Sequence, residues 1–284
     1  MTQAGTRPNE AQAKLWNARA GETWVEQQAM LDRLLRPFET PLMQALDASG
    51  AGEVLDVGCG AGATTLAAAR RLGGRGRATG VDISVPLIEA ARRRAGAAGL
   101  ENCRFIAADA QQHAFEPGVF DAVISRFGVM FFDDPVSAFA NLKRASRPGA
   151  GLAVIAWRGA GENPFMTAAE QAAAPLLPEL PARDPVAPGQ FAFADADRVR
   201  EILTAAGWED AVIDPLDVAC TLSRADLEIY AARMGPVGGL LPDLEPARRD
   251  RILPAVRDAF EAWVSDDTAR FTAACWLVRA RHPE

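Results

Sequence analysis

The chain of 284 residues is 49% hydrophobic and 24% charged, enough apolar material to bury a full core, yet no uninterrupted apolar run approaches the roughly 18 residues of a membrane span. Thirty basic against 37 acidic residues leave a net charge of −7, which argues against a general attraction to phosphate backbones and so against a nucleic-acid acceptor. Cys59, Cys103, Cys220 and Cys275 lack C-x-x-C or zinc spacing and the polar start lacks an apolar signal region, so the reading is of reduced thiols in a cytoplasm, with no metal site and no membrane partner.

From Glu10 to Ser49 the pattern is helical, with Leu31, Leu34, Leu35 and Phe38 on one face and Pro37 and Pro41 placed to kink or split it, which predicts an N-terminal helical cap over 1–50. A core over 51–157 follows, in which strands near 53–58, 77–82, 103–108, 120–125 and 151–157 alternate with helices near 64–72, 85–98 and 135–146; that rhythm predicts a parallel, doubly wound α/β sheet. Arg92-Arg-Arg94 falls in the second of these helices and reads as a solvated face. Asp133-Asp134-Pro135 reads as a helix start. Prolines 164, 175, 178, 181, 185 and 188 then break the rhythm, predicting a short helix near 164–176 and an ordered loop in a lid insertion over 158–194. The core resumes over 195–220 with a helix capped by Asp195 or Asp197 and a strand near 210–219. A second lid insertion over 221–265 carries helices near 223–234 and 246–261 around a glycine-rich turn at 235–239, and a last strand, Arg270 to Arg281, lies in 266–284. The whole reads as one domain.

Val54-Leu-Asp-Val followed by Gly58, Gly60 and Gly62 is the most informative stretch. A buried strand runs into a turn stripped of Cβ atoms, where backbone bends tightly and approaches a ligand. Gly58-x-Gly60-x-x-Ala63, with Asp82 about the right distance on, also satisfies the dinucleotide fingerprint, so an NAD-dependent oxidoreductase is one reading. Gly62, Asp56, and the blocks Gly80-Val-Asp-Ile-Ser84, Ala107-Ala-Asp-Ala110, Phe120-Asp-Ala-Val-Ile-Ser125 and Leu142 to Gly149 favour another. This ordered set, over roughly residues 50–157, resembles class I S-adenosylmethionine-dependent methyltransferases, in particular the type 11 or ubiquinone/menaquinone-biosynthesis-like group.

The resemblance implies a Rossmann-like seven-stranded sheet, S-adenosylmethionine as cofactor, S-adenosylhomocysteine as product, and methyl transfer to O, N or C of a small, hydrophobic or aromatic acceptor. It also implies site residues. Gly58, Cys59, Gly60 and Gly62 lie against the methionine and ribose, Asp56 orients the amino-acid end, and Asp82 accepts from both ribose hydroxyls. Ile83 packs on adenine, Asp109 accepts from its amino group, Ala110 offers a backbone N–H, Ser125 and Arg126 sit nearest the transferring methyl, and Trp16 belongs to a capping segment with Gly21 to Trp24. The Asn/Asp-Pro-Pro-aromatic sequence of nucleobase and amide N-methyltransferases is replaced by Ser125-Arg-Phe-Gly-Val-Met-Phe-Phe132, which counts against those acceptors.

No catalytic base stands out. His113 and Arg126 are the candidates, with His282 behind them, and a surface or structural role competes for each histidine. Arg126 could hold the cofactor carboxylate, bind an acidic acceptor, or pair with Asp121 or Asp133. Phe127, Met130, Phe131, Phe165, Met166, Phe191 and Met234 could line an acceptor pocket or belong to the core. A non-catalytic cofactor-binding protein and a homodimer through the lid both stay open.

Overall fold

A computed structural model describes residues 8–181, 183, 184 and 187–284; Pro185 and residues 1–7 of the cap lie outside them. The sheet follows the order β3-β2-β1-β4-β5-β8-β6. Its strands are β1 (Glu53–Val57), β2 (Arg77–Asp82), β3 (Cys103–Ala107), β4 (Phe120–Arg126), β5 (Ser146–Trp157), β6 (Glu209–Ser223), β7 (Val264–Ser265) and β8 (Thr268–Arg281). β1 to β5 pair in parallel, β8 runs antiparallel to both β5 and β6, and the two-residue β7 only closes a hairpin onto β8. The expected seven-stranded α/β sheet is therefore present, and its strand order reverses between β1 and β4.

Alternation along the strands sets the two faces. Val54, Ala122 and Ile124 pack with Leu46 of α4 (Glu39–Ser49) and Ala68 and Leu72 of α5 (Ala63–Leu72), while α6 (Val85–Ala97) closes on Phe105 of β3. Leu55, Val57 and Val123 point the other way, into a larger core with Phe139 and Leu142 of α7 (Pro135–Ala145) and Val199 and Ile202 of α9 (Ala196–Ala205). Hydroxyl and carboxylate caps start several helices: Ser84 for α6, Asp134 for α7 and Asp195 for α9.

The cap is more broken than its prolines predict. It comprises α1 (Glu10–Trp16), α2 (Arg19–Glu26), α3 (Gln28–Leu35), a 3₁₀ turn at Arg36–Phe38, and α4. Pro37 sits in the 3₁₀ turn, but Pro41 lies in the first turn of α4, where its missing N–H costs nothing, and the other breaks fall at Asn17–Ala18 and Gln27.

Beyond Trp157, β8 loses its β5 partner and continues with β6 as a two-stranded ribbon. Both excursions meet that ribbon: α8 (Pro164–Ala173) of the first through Phe165, and α10 (Arg224–Arg233) of the second directly, with α11 (Gly235–Leu240) and α12 (Pro246–Phe260) packed on α8 and α10. The glycine-rich turn predicted at 235–239 is thus helix α11; a Cβ on Gly238 would fall 2.3 Å from the Arg233 carbonyl carbon, so close packing explains that glycine. Phe165 of α8 stacks on Phe271 of β8 at 3.7 Å between ring centroids and touches Tyr230, Phe260 and Trp263, which fuses the two excursions into one layer. Among the described residues, no helix is long and apolar enough to cross a membrane. Replacing Phe165, 2% exposed, by alanine leaves a cavity at the centre of that layer; urea denaturation should show a loss of about 3–5 kcal/mol.

Candidate functional site at the strand ends

Past Val57 the chain turns back over β2: the N–H groups of Gly58 and Cys59 both donate to the Val81 carbonyl, at 2.8 and 3.1 Å. Gly58 is left-handed (φ 65°), and a Cβ there would fall 2.5 Å from Gly128 Cα; one on Gly128 would meet the Val57 oxygen at 2.5 Å. The loops after β1 and β4 therefore touch backbone to backbone. Ser125 locks them together, its hydroxyl donating to the Val57 carbonyl at 2.7 Å and accepting from the Gly128 N–H at 3.2 Å. Fully buried, Ser125 belongs to this clamp and does not present its hydroxyl to the crevice, unlike the position the resemblance implied. Gly60 is the open side of the turn: it too is left-handed, and a Cβ would find nothing within 4 Å.

Asp82 ties the turn to the end of β2, its two oxygens accepting from the Gly60 and Ser84 N–H groups, each at 2.8 Å. Burial raises its pKa above the usual carboxylate value, the backbone hydrogen bonds opposing, and each oxygen keeps acceptor capacity. Past the end of β3, Asp109 Oδ1 accepts from Asn9 Nδ2 (2.8 Å) and the Gln111 N–H (2.9 Å), while among the described residues Oδ2 accepts only from Gln112 Nε2 (3.0 Å). The Ile83 carbonyl accepts from Asn17 and the Ala110 carbonyl from Asn141.

Beneath the turn lie two ionisable groups, Asp56 and Arg126, that feel each other's charge without a direct ion pair. Asp56, 1% exposed, accepts from the Thr65 hydroxyl at 2.6 Å, but its Oδ1 has no partner among the described residues. Burial pushes its pKa up to about 7, against the Thr65 hydrogen bond and the nearby Arg126 charge. Arg126 lies on the same face of the sheet and donates to the Leu35 carbonyl at 3.1 Å. Burial lowers its pKa, with Asp56, Asp32 and Glu39 pulling it back. Pairing with Asp121 or Asp133 is overturned: Asp121 accepts from Arg147 and the Gly52 and Glu53 N–H groups, and Asp133 from Asn9. Burial first, then Asp82 and Asp56, raise the Cys59 thiol well above its usual value, so it stays protonated.

The cap covers this end of the sheet. The Trp16 carbonyl accepts from the Ser84 hydroxyl at 2.7 Å, Asn17 brackets the β2 loop through the Ile83 carbonyl and Val85 N–H, and the Trp16 ring meets Trp24 and Phe131 edge-on. Gly21 makes this fit possible, since a Cβ would fall 2.0 Å from the Trp16 oxygen. Phe127, with φ 67° and so strained, stacks on Trp157 at 4.3 Å and meets Phe38 edge-on. Met130 and Phe165 belong to the core, whereas Met166 accepts a hydrogen bond from the Tyr230 hydroxyl. The His113 ring packs edge-on against Phe115 at 4.6 Å, and His282 lies at the far end of β8 beside Trp208. Asp134 caps α7 through Ser137, and among the described residues no acidic, histidine or cysteine cluster suits a metal.

The arginine run is a solvated face at the exposed Arg92 and Arg93 but not at the half-buried Arg94. Arg92 donates to the Phe105 carbonyl, and Arg94 reaches both the Ala61 carbonyl, within the glycine turn, and Asp32 of the cap. Thr65, Gly128 and Asn9 are contributors that the sequence did not single out, and Arg94 entered there only as part of a solvated face; of these, Gly128, just after a β-strand, offered a signal.

Residues 54–149 match a protein family described as a methyltransferase domain. An aklanonic acid methyltransferase of Streptomyces sp. (strain C5) is 41% identical over 113 residues, 38% of this chain and 51% of that protein. A demethylmenaquinone methyltransferase of Staphylococcus epidermidis is 31% identical over 108 residues, 38% of this chain and 44% of that protein. The chain thus spans about half the length, or less, of the curated relatives it matches. Among solved structures, one described for conversion of a disulfide bond into a thioacetal group during echinomycin biosynthesis aligns with TM-score 0.55 and 26% identity, covering 84% of this chain and 80% of that one.

The Asp56 pKa fixes a pH dependence. Because the folded value lies above the unfolded one, the ligand-free fold binds the extra proton, and stability falls as pH rises from about 4 to about 7 and then levels off. Asp56→Asn removes the titration, so between pH 5 and 8 the variant should gain on the parent by up to a few kcal/mol in urea denaturation. Parallel pH profiles would contradict the assignment.

Proposed function

We propose that this protein, whose residues 54–149 match a methyltransferase domain, belongs to the class I S-adenosylmethionine-dependent enzymes and moves a methyl group from S-adenosylmethionine to a small, apolar or aromatic organic acceptor. The observation that carries the reading is the convergence of Asp56, Asp82 and Asp109 at three neighbouring strand ends around a turn without Cβ atoms. Each retains acceptor capacity: among the described residues Asp56 Oδ1 is unpartnered, Asp82 has one donor per oxygen, and Asp109 Oδ2 has one. Such a row suits a ligand bearing an ammonium, a ribose diol and an exocyclic amine in sequence.

In this reading Asp56 faces the amino group, Asp82 the ribose hydroxyls, Ile83 the adenine face, and Asp109 with the Ala110 backbone the adenine edge. Arg126 takes a carboxylate, of the cofactor or of an acidic acceptor. S-adenosylmethionine supplies, when bound, an electrophilic methyl on a cationic sulfur. Displacement there needs no protonation of the leaving thioether, so the protein works by alignment and exclusion of water, for which α1–α3 and the fused layer of α8, α10, α11 and α12 provide the cover. A base is required only where the acceptor must first lose a proton. The commitment of Ser125 to the strand clamp and of His113 to Phe115 fits that economy.

Calorimetric titration tests the reading: micromolar binding of S-adenosylmethionine and S-adenosylhomocysteine is expected, with none of NAD. Asp82→Ala should weaken both by about 1–3 kcal/mol, the worth of charge-assisted hydrogen bonds. Binding of NAD in place of the sulfur cofactors would restore the oxidoreductase reading.

A further inference from the structure

Asn9 is 2% exposed, sits in the left-handed region (φ 55°), and has every polar group engaged. Its Nδ2 donates to Asp109 Oδ1 (2.8 Å) and to Gln111 Oε1 (3.1 Å). Its Oδ1 accepts from the Asp133 N–H (2.7 Å), its own N–H donates to Asp133 Oδ2 (2.5 Å), and its carbonyl accepts from the Ala13 N–H in the first turn of α1. One asparagine thereby joins the cap to the loops after β3 and β4. Burying so many polar groups at the edge of a crevice is tolerable only because all are paired.

The consequence falls on Asp109. With the Asn9 amide and the Gln111 N–H on Oδ1, that oxygen is filled, and the carboxylate cannot rotate without breaking two bonds. The oxygen left with acceptor capacity is Oδ2, whose one donor, Gln112 Nε2, comes from an exposed side chain. We propose that Asn9 is a positioning residue for adenine recognition: it fixes the Asp109 carboxylate so that Oδ2 meets the exocyclic amine, and it makes cap docking and adenine discrimination depend on one carboxylate. This rests on the assignment of Asp109 to the adenine edge under the proposed function. A cap that docked elsewhere would cover the crevice without touching its selectivity. Here the covering element and the group that reads the base are one hydrogen bond apart.

The test compares S-adenosylhomocysteine with S-inosylhomocysteine, which carries a carbonyl where adenine has its amine, by calorimetry on the full chain. The parent protein should prefer the amine by about tenfold or more. Asn9→Ala should lose most of that preference through weaker S-adenosylhomocysteine binding, with the inosine analogue little changed, and amides of 10–26 should exchange hydrogen faster. Asn17→Ala, which frees the cap from the β2 loop without touching Asp109, is the control: it should speed exchange in the same segment and leave the preference intact. Undiminished preference in a folded Asn9→Ala protein would overturn the inference, as would tighter S-adenosylhomocysteine binding, which would make the Asn9 amide a competitor for the adenine position. Failure of the parent to bind either compound would instead strike the proposed function itself.

Discussion

Two backbones that meet with no side chain between them, at Gly58 and Gly128, are the constraint on which the site depends. Their contact brings the loops after β1 and β4 together at the point where strand order reverses, and the buried Ser125 hydroxyl fastens them. A methyl group at either position would fall 2.5 Å from the facing backbone, too close for a van der Waals contact, and would force the loops apart. With that distance fixed, the turn has to pass over β2, where the Val81 carbonyl and Asp82 carboxylate collect its N–H groups, and Asp56, Asp82 and Asp109 come to lie at three neighbouring strand ends. The left-handed Phe127 beside this contact is the price, and stacking on Trp157 helps hold it.

The parts of this arrangement that follow from local chemistry were readable in the sequence. Glycines at alternate positions after Val54-Leu-Asp-Val announce a turn whatever lies around it, and Asp195 or Asp134 before a helical pattern announces a cap. What failed to show was every choice made by a distant partner. Arg92, Arg93 and Arg94 look alike in a row, yet only the packing of α6 on β3 decides that Arg92 meets the Phe105 carbonyl and Arg94 the glycine turn and Asp32, 62 residues away. Asn9 stands in a stretch without hydrophobic rhythm, and its four loop contacts all lie about 100 residues or more along the chain. Gly238 misleads for the same reason: glycine usually marks a turn, but here it marks a helix pressed against its neighbour.

The layer above the crevice shows how one long strand can serve two purposes. As far as Cys275, β8 completes the sheet beside β5; from Ala274 to Thr268 it carries the lid with β6. Asn163 eases the transition by exchanging hydrogen bonds with the Ala274 N–H and carbonyl, both at 2.9 Å, in the manner of a strand that has already ended. Two excursions separated by a helix and a strand in the sequence therefore share the aromatic cluster around Phe165, and loosening one loosens the other.

Where the cap meets that layer, the fastenings are of a different kind. Arg19 pairs with Asp243, Arg33 with Asp226 and Arg233 with Glu26, all reaching across the crevice cover, and in each pair at least one partner is largely in water. Such pairs are individually worth about 0.2–1 kcal/mol and are screened over about 8 Å at physiological salt. The apolar layers therefore hold their contacts at any salt concentration, while the ion pairs that join cap to layer weaken as ionic strength rises. The cover is thus fastened at this seam by charge, which the solvent's ions can loosen, and not by buried apolar surface alone.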